Sequence, residues 1–401
     1  MNARPLFLAA AALAALADSS RADWHQYRGP TLNGLTAEKL PANLPSQPKE
    51  LWKKSLGTGV STATVVGDRI FTMGNTGNQE VIYCLDAKTG KELWTHKFSL
   101  PVDPKNFEGG PRTTPTFDSG KVYTLSHSGD LWCLEAATGK PIWNKHLIQQ
   151  LGGDRPDWGY SGSPTVDGNL VLIDSGGSGA STVAFDKATG AVVWKSGDDA
   201  AGYGSVAVGT IGGKRTAVVF KAKNVVGYDV KDGKELWRSP WKTSYDVNAM
   251  TPVIVGNQIL VSSGYDTGAT LIEINGSSVA TKWKNKNLRA HFNSPLVWQG
   301  HIYGIDGNDG SRGQLVCLDL ATGASKWKEG IGGGSLICAD GKLIVWNEKG
   351  ELIIAEASPD SYKQLARWQI LGGHCWVQPA FANGMLFVRN NAGEMAALEM
   401  K

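Results

Sequence analysis

Hydrophobic residues in this chain fall in short runs, rich in β-branched and aromatic side chains and broken by Gly, Asn and Asp. The stretch from residue 61 to residue 94 shows the pattern. Ser61–Val65 reads as a strand, Gly67-Asp68 as a turn and Arg69–Met73 as a second strand. A loop around Gly74–Asn78 follows, then a strand at Val81–Leu85, a turn, and a strand at Lys91–Trp94. Runs of this length and composition, bounded by turn residues, are strands. Outside the N-terminus no window carries a helical period.

The stretch recurs. Its clearest copy ends Tyr83-Cys84-Leu85-Asp86-Ala87-Lys88-Thr89-Gly90-Lys91-Glu92-Leu93-Trp94. Equivalent endings lead to Trp143, Trp194, Trp237 and Trp327, and degenerate ones to Trp283 and Trp368. An eighth copy is split between Leu398-Glu399 and Leu51-Trp52. The tryptophans lie 41 to 51 residues apart, room for four short strands and little else. Asp86 is placed to accept bonds from the amides of its turn, and Gly90 to supply a positive φ. The Trp then falls on the outer strand, where an indole packs between neighbouring sheets. These features predict an all-β fold, an eight-bladed β-propeller of four-stranded antiparallel blades. Pairing of the C-terminal strand, near 394–400, with the strand near 50–54 would close the ring and remove its free edges.

The ends divide the chain further. Arg4 followed by the apolar Leu6–Ala17 and the small residues of Ser20-Arg21-Ala22 reads as a signal peptide over 1–22. A Pro-, Asn- and Gly-rich segment, 23–46, is expected to wrap the ring, and 47–401 to form the propeller. The expected location is periplasmic or secreted. The first cysteine is Cys84, so no lipid anchor is expected, and no other segment is long enough to span a bilayer. A monomer is expected. The formal net charge is +3 without a basic cluster, which argues against a nucleic-acid partner. Cys84, Cys133 and Cys317 share one apolar repeat position and read as small hydrophobes. Cys338 and Cys375 are left open as a pair.

The Asp-x-x-Thr-Gly-Lys-x-x-Trp signature resembles the pyrroloquinoline-quinone-type (PQQ-like) β-propeller repeat, over nearly all of the expected mature chain. Quinoprotein dehydrogenases, the propeller lipoprotein of outer-membrane protein assembly and a set of exported bacterial propellers share it. Trp24-His25-Gln26-Tyr27-Arg28-Gly29-Pro30 with Asn33-Gly34 is most similar to the opening motif of the third group. The resemblance implies the fold, and implies PQQ, with calcium, only if the dehydrogenase branch applies. Adjacent cysteines, common in that branch, do not occur here, and its calcium and catalytic motifs have no match in this sequence.

In a propeller the first strand of each blade lines the channel, and the loops leading into it form one mouth. The segments just before these strands supply the site candidates. Arg112 offers a planar cationic fork. Trp158, Tyr160, Tyr203 and Trp376 offer ring faces. Asn248, Asn293 and Gln378 offer neutral donors and acceptors, and His291 or His374 a base. The reading that follows is an exported binding or scaffold propeller without catalysis, holding a small molecule or an exported protein partner at the channel mouth. A PQQ-dependent oxidoreductase and a carbohydrate-binding module are the alternatives.

Overall fold

The computed structural model describes residues 23–105, 107–308 and 312–400. The expected signal peptide, 1–22, lies outside them. Eight four-stranded antiparallel sheets follow one another around an axis. The inner strands, in chain order, are Thr64–Val66, Thr116–Asp118, Thr165–Asp167, Ala207–Ile211, Val253–Val255, Leu296–Trp298, Gly334–Ala339 and Ala380–Ala382. Each begins a blade, numbered one to eight in that order. The fourth strand of blade eight is Lys49–Ser55, paired with Glu394–Glu399 from Lys49↔Glu399 to Ser55↔Glu394. The ring therefore closes as the split repeat predicts.

Blade one shows how the repeat folds, and where the sequence reading needs correction. Its strands are Thr64–Val66, Arg69–Thr76, Gln79–Asp86 and Glu92–Ser99. The inner strand is shorter than Ser61–Val65 because the residues before it bond to other blades. The Thr62 amide donates to Thr114 Oγ1 at 3.4 Å, and its hydroxyl donates to the Gln378 carbonyl at 2.5 Å. The predicted loop at 74–78 is mostly ladder: pairing runs on to Thr76↔Gln79. The turn shrinks to Gly77-Asn78, both with positive φ (61° and 59°), which matches the right-handed twist of a hairpin. A helix over Leu147–Leu151 was not predicted, and five residues are too few to display a helical period.

The tryptophans join one blade to the next. Trp52 Nε1 donates to the Ala87 carbonyl at 2.9 Å, Trp94 to Ala136 at 3.0 Å, Trp194 to Val230 at 2.9 Å and Trp283 to Leu320 at 2.8 Å. Each of these acceptors lies in the Thr-Gly or Asp-Gly turn of the following blade. The turn glycine lies flat on the indole: a Cβ on Gly90 would stand 2.7 Å from Trp52, and one on Gly139 2.4 Å from Trp94. Glycine is thus needed twice over, for its φ of 67° and for the indole. Within its own blade the Trp opposes the apolar slot, as in Cys84↔Trp94 and Cys317↔Trp327. Blade seven departs from this register: Trp368 opposes Leu352, not Ile354. Its third and fourth strands are joined by the longer 357–363 connection instead of a Thr-Gly turn. All five cysteines are buried free thiols, including Cys338 and Cys375.

Residues 23–36 run across the ring. The His25 carbonyl accepts the Phe117 amide in blade two. Three residues on, Arg28 Nη2 donates to the Pro295 carbonyl of blade six, on the opposite side. Leu35–Thr36 then adds a parallel strand to blade seven, and the Glu38 carboxylate accepts the Asn383 and Gly384 amides of blade eight. The Trp24-to-Gly34 motif is the core of this crossing. Gly29 has a φ of 79°, and a Cβ there would meet the Trp24 ring at 2.9 Å.

Candidate functional site

A cavity of about 340 Å³ occupies the channel on the side away from the crossing segment, which contributes Tyr27 to its lining. Its floor is a belt with one polar residue from each blade: Thr62, Thr114, Ser163, Ser205, Thr251, Ser294, Ser335 and Gln378. The belt binds the blades together. The Thr114 amide donates to Ser163 Oγ at 2.8 Å, Ser163 to Ser205 Oγ at 2.9 Å, Ser205 to Thr251 Oγ1 at 3.1 Å and Thr251 to Ser294 Oγ at 2.9 Å. In five of these hydroxyls, on blades two to six, the oxygen accepts an amide of the preceding blade. A hydroxyl that accepts in this way still has its O–H to give.

The walls are aromatic. Trp158 meets Tyr203 edge-on with centroids 6.1 Å apart. Across the cavity Tyr265, His291, Phe292 and Trp376 form a continuous arc, with successive centroids 4.8, 3.9 and 4.9 Å apart. Phe107 joins Trp376 at 6.2 Å and lies over the Arg112 guanidinium at 4.7 Å.

Charge at the site has one sign. Among the described lining residues there is no Asp or Glu, whereas Lys105 and Arg112 both line the cavity. All three guanidinium nitrogens of Arg112 are buried and lack a hydrogen-bond partner among the described residues. Burial, with Arg155 nearby, lowers the Arg112 pKa to about 10, so it stays charged at neutral pH. Arg28 is fully buried in the crossing segment, bonded only to carbonyls, and burial likewise lowers its pKa to about 10. Behind Arg112 lie Glu80 and His127, both buried, with His127 Nδ1 3.5 Å from a Glu80 carboxylate oxygen. Burial raises the Glu80 pKa well above the carboxylate range, with Asp130 adding to the effect and Arg112 opposing it. Burial, Arg112 and Arg155 lower the His127 pKa to about 4. Among the described residues no three His, Cys, Asp or Glu side chains are grouped to hold a metal ion.

Of the ten residues singled out from sequence, seven line the cavity: Arg112, Trp158, Tyr203, His291, Asn293, Trp376 and Gln378. The other three do not. Tyr160 is packed between blades two and three with Leu125 and Leu147, and its hydroxyl donates to the Ser175 carbonyl at 2.8 Å. Asn248 is fully used in the fold: Nδ2 donates to the Lys221 and Ala222 carbonyls, and Oδ1 accepts Ser263 Oγ. His374 is half exposed, with Nδ1 3.7 Å from Glu108, and is not among the lining residues. The hydroxyl belt was missed as chemistry, although Thr-Pro and Ser-Pro steps mark it at Thr114, Ser163, Thr251 and Ser294. Glu80 and His127 carry no such mark.

Comparison with known proteins adds the following. The PQQ_2 family profile, described as outer membrane protein assembly factor BamB, matches residues 45–105 and 77–329. A polyvinylalcohol dehydrogenase of Sphingopyxis sp. (strain 113P3) is 29% identical over 194 residues, 43% of this chain and 28% of that protein. The outer membrane protein assembly factor BamB of Burkholderia pseudomallei (strain K96243) is 29% identical over 176 residues, 42% of each chain. The matches therefore span less than half the length of either curated relative. The quinohemoprotein alcohol dehydrogenase of Comamonas testosteroni superposes with a TM-score of 0.70 at 14% identity, over 94% of this chain and 80% of that one, a likeness of fold. No helix among the described residues is long and apolar enough to cross a membrane.

Proposed function

The chain belongs to the PQQ_2 family of β-propeller repeat proteins, and we propose that it is an exported binding propeller without catalysis, holding a small anionic ligand in the channel cavity. One observation carries this reading: Arg112 lines a cavity without a described carboxylate, and its buried guanidinium nitrogens have no hydrogen-bond partner among the described residues. A buried donor left unpaired costs about 1–3 kcal/mol, and more when charged, so such a group calls for an acceptor. The fork of Arg112 suits a carboxylate, and the aromatic walls suit the flat or apolar remainder of a ligand. The test is native mass spectrometry of protein purified from its source. A retained anion that leaves on Arg112→Gln substitution supports the reading, and a site that retains only neutral species overturns it.

A second reading is favoured by the same walls and by the local match to a polyvinylalcohol dehydrogenase: a quinone-dependent oxidoreductase. A planar, carboxylated quinone would have Arg112 and Lys105 as its counter-charges and Trp158 and Trp376 as its ring contacts. When bound, it would supply two-electron oxidation of an alcohol. For a divalent cation beside it, the described side chains of the lining offer only neutral oxygens, among them those of the hydroxyl belt, Ser161, Asn293, Asn308 and Gln378. Titration with PQQ and calcium in the presence of primary and secondary alcohols and a dye acceptor separates the readings. Alcohol-dependent dye reduction would overturn the non-catalytic one.

The BamB match supports a different occupant of the same face, a protein partner. Less than half of that relative is matched, so its assembly role comes here as a proposal, and co-purification from an exported fraction tests it.

A further inference from the structure

Resting on the anion reading above, we propose that the ligand class is a hydroxylated carboxylate: a sugar acid such as a uronate. Three sets of groups on the cavity lining narrow the chemistry. The first is the cationic Arg112 guanidinium, without a hydrogen-bond partner among the described residues. The second is the row of belt hydroxyls at Thr114, Ser163, Ser205, Thr251 and Ser294. The oxygen of each accepts a neighbouring amide, and its O–H remains to be donated.

The third set decides between ligands. Asn293 Oδ1 and Gln378 Oε1 are buried acceptors without partners among the described residues. The orientation of Gln378 is fixed, because its Nε2 donates to the Leu336 carbonyl at 3.0 Å. An inorganic anion or a bare carboxylate carries acceptors only, and would leave both oxygens unpaired. A neutral sugar carries hydroxyl donors for them but no charge for Arg112. A sugar acid answers all three sets. The C–H face of its ring matches the Phe292 and Trp376 rings, whose centroids are 4.9 Å apart. The volume, about 340 Å³, falls within the usual range for small-molecule pockets.

The experiment is isothermal titration calorimetry of the full chain with D-glucuronate, D-glucose, acetate and inorganic phosphate. Glucuronate should saturate at least about tenfold more tightly than the other three. Arg112→Gln should weaken it about tenfold to a hundredfold, the range for a hydrogen bond to a charged group, and leave glucose unchanged. Gln378→Leu should weaken glucuronate about tenfold and leave acetate unchanged. Thermal unfolding checks that each variant is folded, and Asn293→Ala replaces Gln378→Leu if that variant is not. Acetate or phosphate binding as tightly as glucuronate, and lost with Arg112→Gln, overturns the sugar-acid class while leaving the anion cavity standing. Glucose binding as tightly as glucuronate, with no effect of Arg112→Gln, overturns the role of the carboxylate and the anion reading together. No heat from any of the four probes with folded protein also overturns both.

Discussion

Arg28 Nη2 donates to the carbonyl of Pro295, 2.7 Å away and 267 residues further along the chain. The bond ties a segment that crosses the channel to the blade opposite its starting point. The side chain is fully buried, and its Nε donates to the Leu32 carbonyl at 2.9 Å. Arg28→Ala would leave the buried Pro295 carbonyl and the partly buried Leu32 carbonyl without this donor, so a loss of about 2–4 kcal/mol in unfolding free energy is expected, measured by urea denaturation. Arg28→Lys keeps the charge but not the fork, and should recover only part of that loss.

The Glu80–His127 pair predicts a pH signature of two opposite signs. The folded-state pKa of His127 is lowered from 6.5 to about 4, so its contribution to stability is present above 6.5 and is lost as pH falls toward 4. His127→Asn should therefore gain on the wild type across that window, by about 3 kcal/mol at most. The folded-state pKa of Glu80 is raised, so its contribution is present below 4.5 and is lost as pH rises. Glu80→Gln should gain on the wild type as pH increases. Denaturation midpoints of the three proteins from pH 4 to pH 8 check both slopes.

A methyl group at Gly227 would stand 2.2 Å from the Trp237 ring, which is itself locked between blades four and five. Gly227→Ala should cost about 1–3 kcal/mol through overpacking, although the backbone there is ordinary strand. Differential scanning calorimetry reads the loss. The equivalent slot in blade three already holds Ala184 opposite Trp194, so Ala184→Gly should cost less.

Lys221 Nζ lies 2.6 Å from Asp174 Oδ1 and 2.8 Å from the Ser181 carbonyl, with both side chains buried between blades three and four. Lys221→Met alone should destabilise by about 3–5 kcal/mol, because it leaves Asp174 without its counter-charge. The double variant Lys221→Met/Asp174→Leu should lose less than the sum of the two single changes. A double-mutant cycle by chemical denaturation measures the difference.

The ring was legible because its joints repeat. Trp52, Trp94, Trp143, Trp194 and Trp283 each meet the turn glycine of the following blade, the same contact repeated around the ring. The cavity walls were legible for a related reason: Arg112, Trp158, Asn293 and Gln378 all fall in the short segments just before an inner strand, where residue type varies from blade to blade. Offset alone does not fix which way a loop side chain turns. Trp158 and Tyr160 are two residues apart, and only the first lines the cavity. Glu80 reads as an ordinary strand residue in Gln79-Glu80-Val81, and its burial comes from blade two, far from it in sequence. The crossing segment was expected to wrap the ring. Its path over the channel is set by Phe117 and Pro295, and no local pattern announces either contact.

The segment that carries Tyr27 and Arg28 turns the ring from a tube into a cul-de-sac. A ligand in the cavity is expected to enter and leave by the mouth that this segment does not cross. A long polymer would reach the belt hydroxyls by one of its ends alone, never by its middle. Exchange at this site therefore depends on the number of chain ends in solution and not on the mass of polymer, so shearing a long ligand into short pieces should speed its uptake in proportion to the cuts made.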